Sequence, residues 1–542
     1  MADRGSSALR PEHPIARSLP HLVEEFGLEL QGAPVADVVS GISLSSREVM
    51  PGDLYVGLKG KHVHGASYAV AAKESGAVAI LTDSEGAAIA AGSGLPVIVT
   101  PEPRLALGEL AAWIYRTRDD QPTMFGVTGT NGKTSVAYLL EAILRQLGIV
   151  AGISTTAERR IGDETIVSTL TTPEATEIHA MLARMREADV RSVVLEVSAQ
   201  AITQHRVDGI VFDVVGFTNL SHDHLDDYET MDVYFEAKRE LFQPDRARRG
   251  VVMVDGGWGR RLVEESRIPL TTISTESDSA VAESDAEWTL TIDSETLDRT
   301  NFTLRGPDHR ELSTSVPLLG RIMAANAALA IVMLVESGFD LDAISHALNE
   351  PFVRDDAEHP WDPELDWEQD EQREPGIDVY IPGRAERVSG DRGPVVFIDY
   401  GHTPDAFTST LESIRRVTDG RIVMLFGADG DRDPSKRADM GAIAARLADA
   451  VVITDFHPRT ENAADIRRVL LDAARAEVPE REIHEVADPR AAFRKALSIA
   501  GEGDVILYAG PGHEDYHEVA GEKIPYSARD DARNALREHG WL

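Results

Sequence analysis

The stretch that most restricts how this chain folds is MFGVTGTNGKTSVAYLLEAIL, residues 124–144. Met124 to Val127 form a short apolar run, and beyond the glycines Val136, Leu139, Leu140, Ile143 and Leu144 recur at helical spacing. Strand, glycine turn and helix are therefore expected in that order. Such a turn leaves backbone N–H groups unpaired at the start of the helix, where they and the helix dipole favour phosphate oxygens. Gly129, Thr130, Asn131, Gly132 and Ser135 supply the loop, Lys133 a movable positive charge for phosphates, and Thr134 a hydroxyl suited to Mg²⁺. A full Walker pattern places glycine five positions before Gly132, where this chain has Val127, so a shortened phosphate loop is expected. The loop alone names no reaction.

At 542 residues the chain is too long for one core, and three domains are expected. Cysteine is absent, which excludes disulfides, thiolate metal sites and cysteine nucleophiles. The formal net charge of −37 argues against nucleic acid as a partner, because counterion release needs clustered Lys and Arg. Apolar runs such as 193–195 and 395–398 are too short to span a bilayer, and the first residues carry no apolar signal core. A cytoplasmic protein with no membrane partner is expected, acting as a monomer.

The pattern along the chain predicts an α/β fold with parallel sheets. Residues 1–117 hold short β-rich runs and an Ala-rich helical stretch, and residues 118–354 alternate strands with helices around the phosphate loop. Residues 355–376 are acidic and proline-rich and are expected to be a solvated insertion or linker. Across residues 377–542, VVFIDYGH, RIVMLFGADG, DAVVITDFHP and DVILYAGPG indicate a second parallel unit.

Glu196 ends the apolar run of SVVLEVSAQ, and carboxylates at the C-terminal ends of parallel strands face the ligand crevice, so Glu196 is a candidate metal ligand beside Thr134. His222, Asp223, His224, Asp226 and Asp227 crowd a loop after another apolar run, a pattern that fits a metal site or a polar turn equally well.

Together with TTP (171–173), FTNLSHDHLD followed by YFEAKRELF, PGRAERV, IDYGHTPDA, FGADGDRDPSKR and GPGHEDY, the phosphate loop makes seven motifs in one order. In this the chain resembles the Mur ligase superfamily, and within it the tripeptide synthetase type. The resemblance covers nearly the whole chain. It implies a UDP-substrate-binding N-terminal domain, a central ATPase domain and a Rossmann-like C-terminal domain that binds an amino acid. It further implies an ATP-dependent ligase that adds a diamino acid to UDP-N-acetylmuramoyl-L-alanyl-D-glutamate through an acyl phosphate, in peptidoglycan precursor synthesis.

Carried over by residue, Lys133 and Thr134 bind ATP phosphates and Mg²⁺, and Glu196 and His224 hold a second Mg²⁺. Lys238 matches the lysine that CO₂ carbamylates, and as N6-carboxylysine it helps fix that metal. Asn326 corresponds to the asparagine near adenine, and Arg384 and Asp399 to residues that close over ATP. Ser46, Arg47 and His64 lie where the UDP end is received, with Thr171, Thr172, Ser198, Gln204 and Arg206 along the rest of that substrate. Arg432, His457, Arg459, Gly510 and Glu514 belong to the amino-acid site.

The chain departs from the pattern at Ser45, Gln200, Met323 and Pro511, and DFHPR (455–459) stands where DNPR is usual. The diamino acid is therefore left open among meso-diaminopimelate, lysine, ornithine and diaminobutyrate. A folylpolyglutamate-synthetase-like ligase and a nucleotide-dependent switch are the alternatives; the latter calls for an NKxD-type guanine motif, which the sequence lacks.

Overall fold

The computed structural model describes residues 6–33, 36–118, 121–168, 170–223, 225–275, 286–349 and 375–542. His224 and almost all of the acidic stretch 355–376 lie outside the described residues.

Three principal sheets form the molecule. The first has five strands in the order Glu29–Gln31, Val97–Val99, Ala79–Thr82, Asp53–Gly57 and Gly41–Ser43, all parallel except the first. Asp53–Gly57 is buried along its whole length, as expected of a strand covered on both faces.

The second sheet has eleven strands. Its parallel run is Ala151–Ser154, Ser192–Glu196, Thr123–Thr128, Phe212–Phe217, Ala247–Met253, Leu270–Thr275 and Trp288–Glu295. Lys133–Gln146 and Arg321–Glu336 cover one face, where Val136, Leu140, Ala327 and Ile331 pack on Phe125, Val194 and Val214. Ala175–Glu187 and Met231–Arg239 cover the other, with Ile178, Met181 and Phe235 against Val193, Val215 and Phe217. Both ends of the sheet are antiparallel. Glu158–Ile161 and Glu164–Val167 form a hairpin at one end, and Thr300–Arg305 and Glu311–Val316 extend the other.

The third sheet runs Glu386–Arg387, Val395–Asp399, Val505–Ala509, Ile422–Phe426, Ala450–Ile453 and Glu482–Glu485, antiparallel only at the first strand. In open parallel sheets ligands bind outside the carboxyl ends of the strands. Here the phosphate loop, Glu196 and Thr218 follow three adjacent central strands, while Asp399, Asp429, Phe456 and Gly510 end or follow four adjacent strands of the third sheet. Both sets line one cleft of about 840 Å³. No helix among the described residues is long and apolar enough to cross a membrane.

Candidate active site

The expected strand, turn and helix are present: Thr123–Thr128 leads through the glycine loop into Lys133–Gln146. Gly129 has φ +147°, and a Cβ there would sit 1.9 Å from the Thr218 hydroxyl; at Gly132, φ +91°, a Cβ would come within 2.6 Å of Asn326 Oδ1. Glycine is required at both. The neighbouring strand end clamps the loop from outside. Thr130 N–H donates to the Asn219 carbonyl (2.9 Å), Asn131 N–H to Asn219 Oδ1 (3.0 Å), and the Thr218 hydroxyl to the Asn131 carbonyl (2.7 Å). Thr218 and Asn219 lie in the FTNLSHDHLD block but carry no charge, so their part in shaping the loop shows only in three dimensions.

Glu196 is the hub. Its carboxylate accepts from the Thr134 hydroxyl (2.9 Å) and from both the backbone N–H (2.9 Å) and the hydroxyl (3.1 Å) of Thr156, and Lys133 Nζ lies 3.9 Å away. Lys133 also donates to the Thr130 carbonyl (2.9 Å), and burial holds its pKa below the usual lysine range against the pull of Glu196 and Asp223. Ser135 is buried and lines the cleft with Asn326.

Lys238 is buried on Met231–Arg239. Its Nζ donates to the Gly129 carbonyl (2.8 Å) and sits 4.5 Å from the centre of the Tyr234 ring. Burial, reinforced by the charge of Lys133, pushes its pKa well below the ordinary lysine value, with Asp223 and Glu196 opposing.

The third sheet reaches into the same cleft. Arg384 donates to the Thr134 hydroxyl (3.2 Å) and stacks 4.2 Å from the centre of the Tyr400 ring. Asp399, expected at ATP, spends both oxygens on backbone, accepting from Ala385 N–H (2.8 Å) and Gly401 N–H (2.7 Å), and so holds the turn that carries Arg384. A Cβ on Gly383, φ +63°, would strike the Gly512 backbone at 2.1 Å, which is why the PGR and GPGHE segments meet through glycines. His513 lies beside the Thr156 backbone, and burial and the charges of Arg384 and Arg529 lower its pKa to about 3. Lys436 pairs with Asp223 (3.3 Å) in a buried contact between the third sheet and the central loop. His513 and Lys436 were not singled out from the sequence.

The same cleft is lined from the third sheet by Arg432, His457, Arg459, Gly510 and Glu514. His457 Nδ1 accepts from Glu518 N–H (2.8 Å), so the proton on Nε2 is donated to Glu514 (2.7 Å). Arg459 is committed to Asp429 (3.1 Å), Glu518 (3.1 Å) and the Gly430 carbonyl (2.7 Å).

Of the expected UDP-substrate residues, Thr171, Ser198, Gln204 and Arg206 line the cleft. Arg206 pairs with Glu174 (3.1 Å) and donates to the Thr172 carbonyl (3.2 Å); buried Thr172 binds the Glu196 carbonyl (2.8 Å). Ser46, Arg47 and His64 do not line this cleft. Arg47 is exposed after the strand Gly41–Ser43, and His64 spends both ring nitrogens locally, accepting from Ala66 N–H (3.1 Å) and donating to Asp83 (3.1 Å).

Three family profiles match: the Mur ligase family catalytic domain over residues 38–115, the Mur ligase middle domain over 127–334, and the Mur ligase glutamate ligase domain over 383–512. A UDP-N-acetylmuramyl-tripeptide synthetase of Leifsonia xyli is 66% identical over 100% of both chains. This chain belongs to the Mur ligase family. A second Mur ligase, the UDP-N-acetylmuramoyl-L-alanyl-D-glutamate–2,6-diaminopimelate ligase of Streptomyces avermitilis, is 40% identical over 98% of each chain. Among solved structures, a UDP-N-acetylmuramoyl-L-alanyl-D-glutamate–2,6-diaminopimelate ligase superposes with a TM-score of 0.64 at 24% identity, covering 98% of this chain and 100% of its own.

Mur ligases are ATP-dependent, and the loop geometry fits a polyphosphate. The donor set also fits Mg²⁺: the Thr134 hydroxyl and Glu196 carboxylate are hard oxygens 2.9 Å apart, and Mg²⁺ on a nucleotide needs only one or two protein carboxylates beside phosphates and water. Among the described residues no cluster of three or more His, Asp or Glu could hold a metal by itself.

Proposed function

We propose that this chain joins a diamino acid to UDP-N-acetylmuramoyl-L-alanyl-D-glutamate at the expense of ATP, a step of peptidoglycan precursor synthesis. The observation that supports this reading is the continuity of one cleft from the phosphate loop and Glu196 to the Arg432 and Glu514 end. Thr171, Ser198 and Gln204 border it on the acceptor side.

A carboxylate is a poor acyl donor. Its oxygen attacks the γ-phosphorus of ATP, the bond to the β-phosphate oxygen breaks, and an acyl phosphate and ADP result. The unprotonated amine of the incoming amino acid then adds to the acyl carbon, and collapse of the tetrahedral adduct expels phosphate while nitrogen loses a proton. Lys133 and Arg384 face the charge that develops on the transferred group, and the backbone N–H groups at the start of the helix Lys133–Gln146 hold the phosphates in line. Mg²⁺, when bound, offsets phosphate charge; Thr134 and Glu196 would hold it.

Lys238 is the site of carbamylation in this reading. Burial favours the uncharged amine, the form that adds to CO₂ with loss of a proton, at a side chain held 2.8 Å from the Gly129 carbonyl. The carbamate then presents an anion in the loop region near Glu196. His224 is assigned to the same metal.

The test is product analysis. ADP, phosphate and an acceptor heavier by one amino-acid residue should form together, and only when acceptor and a diamino acid are both present. ATP hydrolysis at an undiminished rate without acceptor would contradict the assignment and favour a nucleotide-dependent switch.

A further inference from the structure

The amino-acid end of the cleft offers two guanidiniums, but only one has charge to give. Arg459 sits between Asp429 and Glu518, each 3.1 Å away, with a third bond to the Gly430 carbonyl. Its backbone is also fixed in place. His457 and Arg459 both adopt left-handed backbone, φ +36° and +50°, a costly conformation for non-glycine residues that persists only where surroundings enforce it. The enforcement is visible: Gly430 N–H donates to the His457 carbonyl (3.0 Å), Arg459 N–H to the Glu518 carbonyl (3.1 Å), and Ala520 N–H to the Arg459 carbonyl (2.7 Å). A second substrate carboxylate brought to Arg459 would meet the charges of Asp429 and Glu518.

Arg432, by contrast, is exposed on the cleft wall and forms no hydrogen bond or ion pair with the described residues. The Glu514 carboxylate accepts from His457 Nε2, while His457 Nδ1 accepts the Glu518 backbone N–H, and no Lys or Arg is bound directly to Glu514 among the described residues. Among the described residues, this part of the cleft thus offers one guanidinium without a partner, Arg432, for a carboxylate and one carboxylate in direct contact only with an imidazole, Glu514, for an ammonium.

We propose that the amino acid this site accepts has a single carboxylate and a cationic side chain, with its α-carboxylate paired to Arg432 and its distal ammonium to Glu514. The class comprises lysine, ornithine and 2,4-diaminobutyrate, and it disfavours meso-diaminopimelate, whose second carboxylate would meet at Arg459 a guanidinium already paired with Asp429 and Glu518. Phe456 and His457 determine this selection indirectly. Their rings pack at 4.1 Å between centroids and hold the wall against which Glu514 is fixed. The inference rests on the ligase reading above and narrows its third substrate.

The experiment measures kcat/KM for lysine, ornithine, 2,4-diaminobutyrate and meso-diaminopimelate with saturating ATP and UDP-linked acceptor. The best of the first three should exceed meso-diaminopimelate at least tenfold, and its analogue without the distal amine (norleucine, norvaline or 2-aminobutyrate) should fall at least tenfold below it. A value for meso-diaminopimelate within tenfold of the best, or above it, overturns the inference and leaves the ligase reading standing. No product with any of the four overturns the ligase reading itself. Glu514→Gln should raise KM for the diamino acid at least tenfold while KM for ATP stays within twofold; an unchanged KM for the diamino acid overturns the role given to Glu514.

Discussion

Lys133, Glu196 and Lys238 illustrate how differently single residues disclose themselves. Lys133 was singled out because it closes the glycine turn at the helix start, and the structure puts it 3.9 Å from Glu196. Replacing it by Ala removes a charge aimed at the transferred phosphoryl group, a loss of about 2.7–4 kcal/mol of transition-state stabilisation, or 10²–10³ in kcat. Steady-state kinetics should show that drop in kcat; a change confined to KM would contradict it. For Lys238, intact-protein mass spectrometry in bicarbonate buffer should find an added CO₂, and acetate or formate should partly restore activity to Lys238→Ala. Activity of Lys238→Ala near that of the parent, with no response to either anion, would refute the assignment. Asp399 was placed near nucleotide by the family resemblance of IDYGH, not by a local pattern. Its two backbone bonds, to residues 14 and 2 positions away, are tertiary facts that local pattern does not carry. The same holds for Thr156, an unremarked threonine that supplies two of the three bonds to Glu196.

At the level of elements, the strand, glycine turn and helix are present as the periodicity implied, since period 3.6 after a short apolar run admits few other solutions. The antiparallel additions were not foreseen. Trp288, Leu290 and Ile292 alternate, as do Phe302 and Leu304, but alternation within a chain dominated by parallel strands does not say to which edge a hairpin attaches. The loop itself is the most constrained element. Gly129→Ala would force a Cβ into the Thr218 hydroxyl at 1.9 Å on top of a left-handed φ, so a stability loss of about 1–3 kcal/mol is expected. Chemical denaturation would measure it, and an unchanged midpoint would show that the clamp by Thr218 and Asn219 yields more easily than argued.

For the whole molecule, the surface charge of −37 speaks to solubility, while acid sensitivity comes from histidines buried without charge. His179 donates Nε2–H to the Asp208 carbonyl (3.0 Å) and accepts the Thr117 hydroxyl on Nδ1 (2.6 Å), and burial lowers its pKa from 6.5 to about 4. His517 likewise falls to about 4, chiefly by burial. Between pH 6.5 and 4 the unfolded chain therefore binds more protons than the folded one, so stability should decline as pH falls through that window. Each such histidine contributes a slope of about 1.4 kcal/mol per pH unit. His179→Gln should flatten the profile measured by denaturation between pH 7 and pH 4.5; an unaltered slope would mean that other groups govern it. That the sheets meet over one cleft also explains why Lys436 and His513 escaped notice: their neighbours, Asp223 and Thr156, belong to a different sheet's loops.

In the proposed reaction this cleft transfers the γ-phosphoryl group of ATP to a substrate carboxylate before the amine attacks. Acceptor labelled with ¹⁸O in the reacting carboxylate tests it most directly, because the attacking oxygen stays with phosphorus when the acyl phosphate is aminolysed. One ¹⁸O is expected in each phosphate released alongside product. Phosphate that carries no label from the carboxylate, with its new oxygen drawn from water instead, would contradict it.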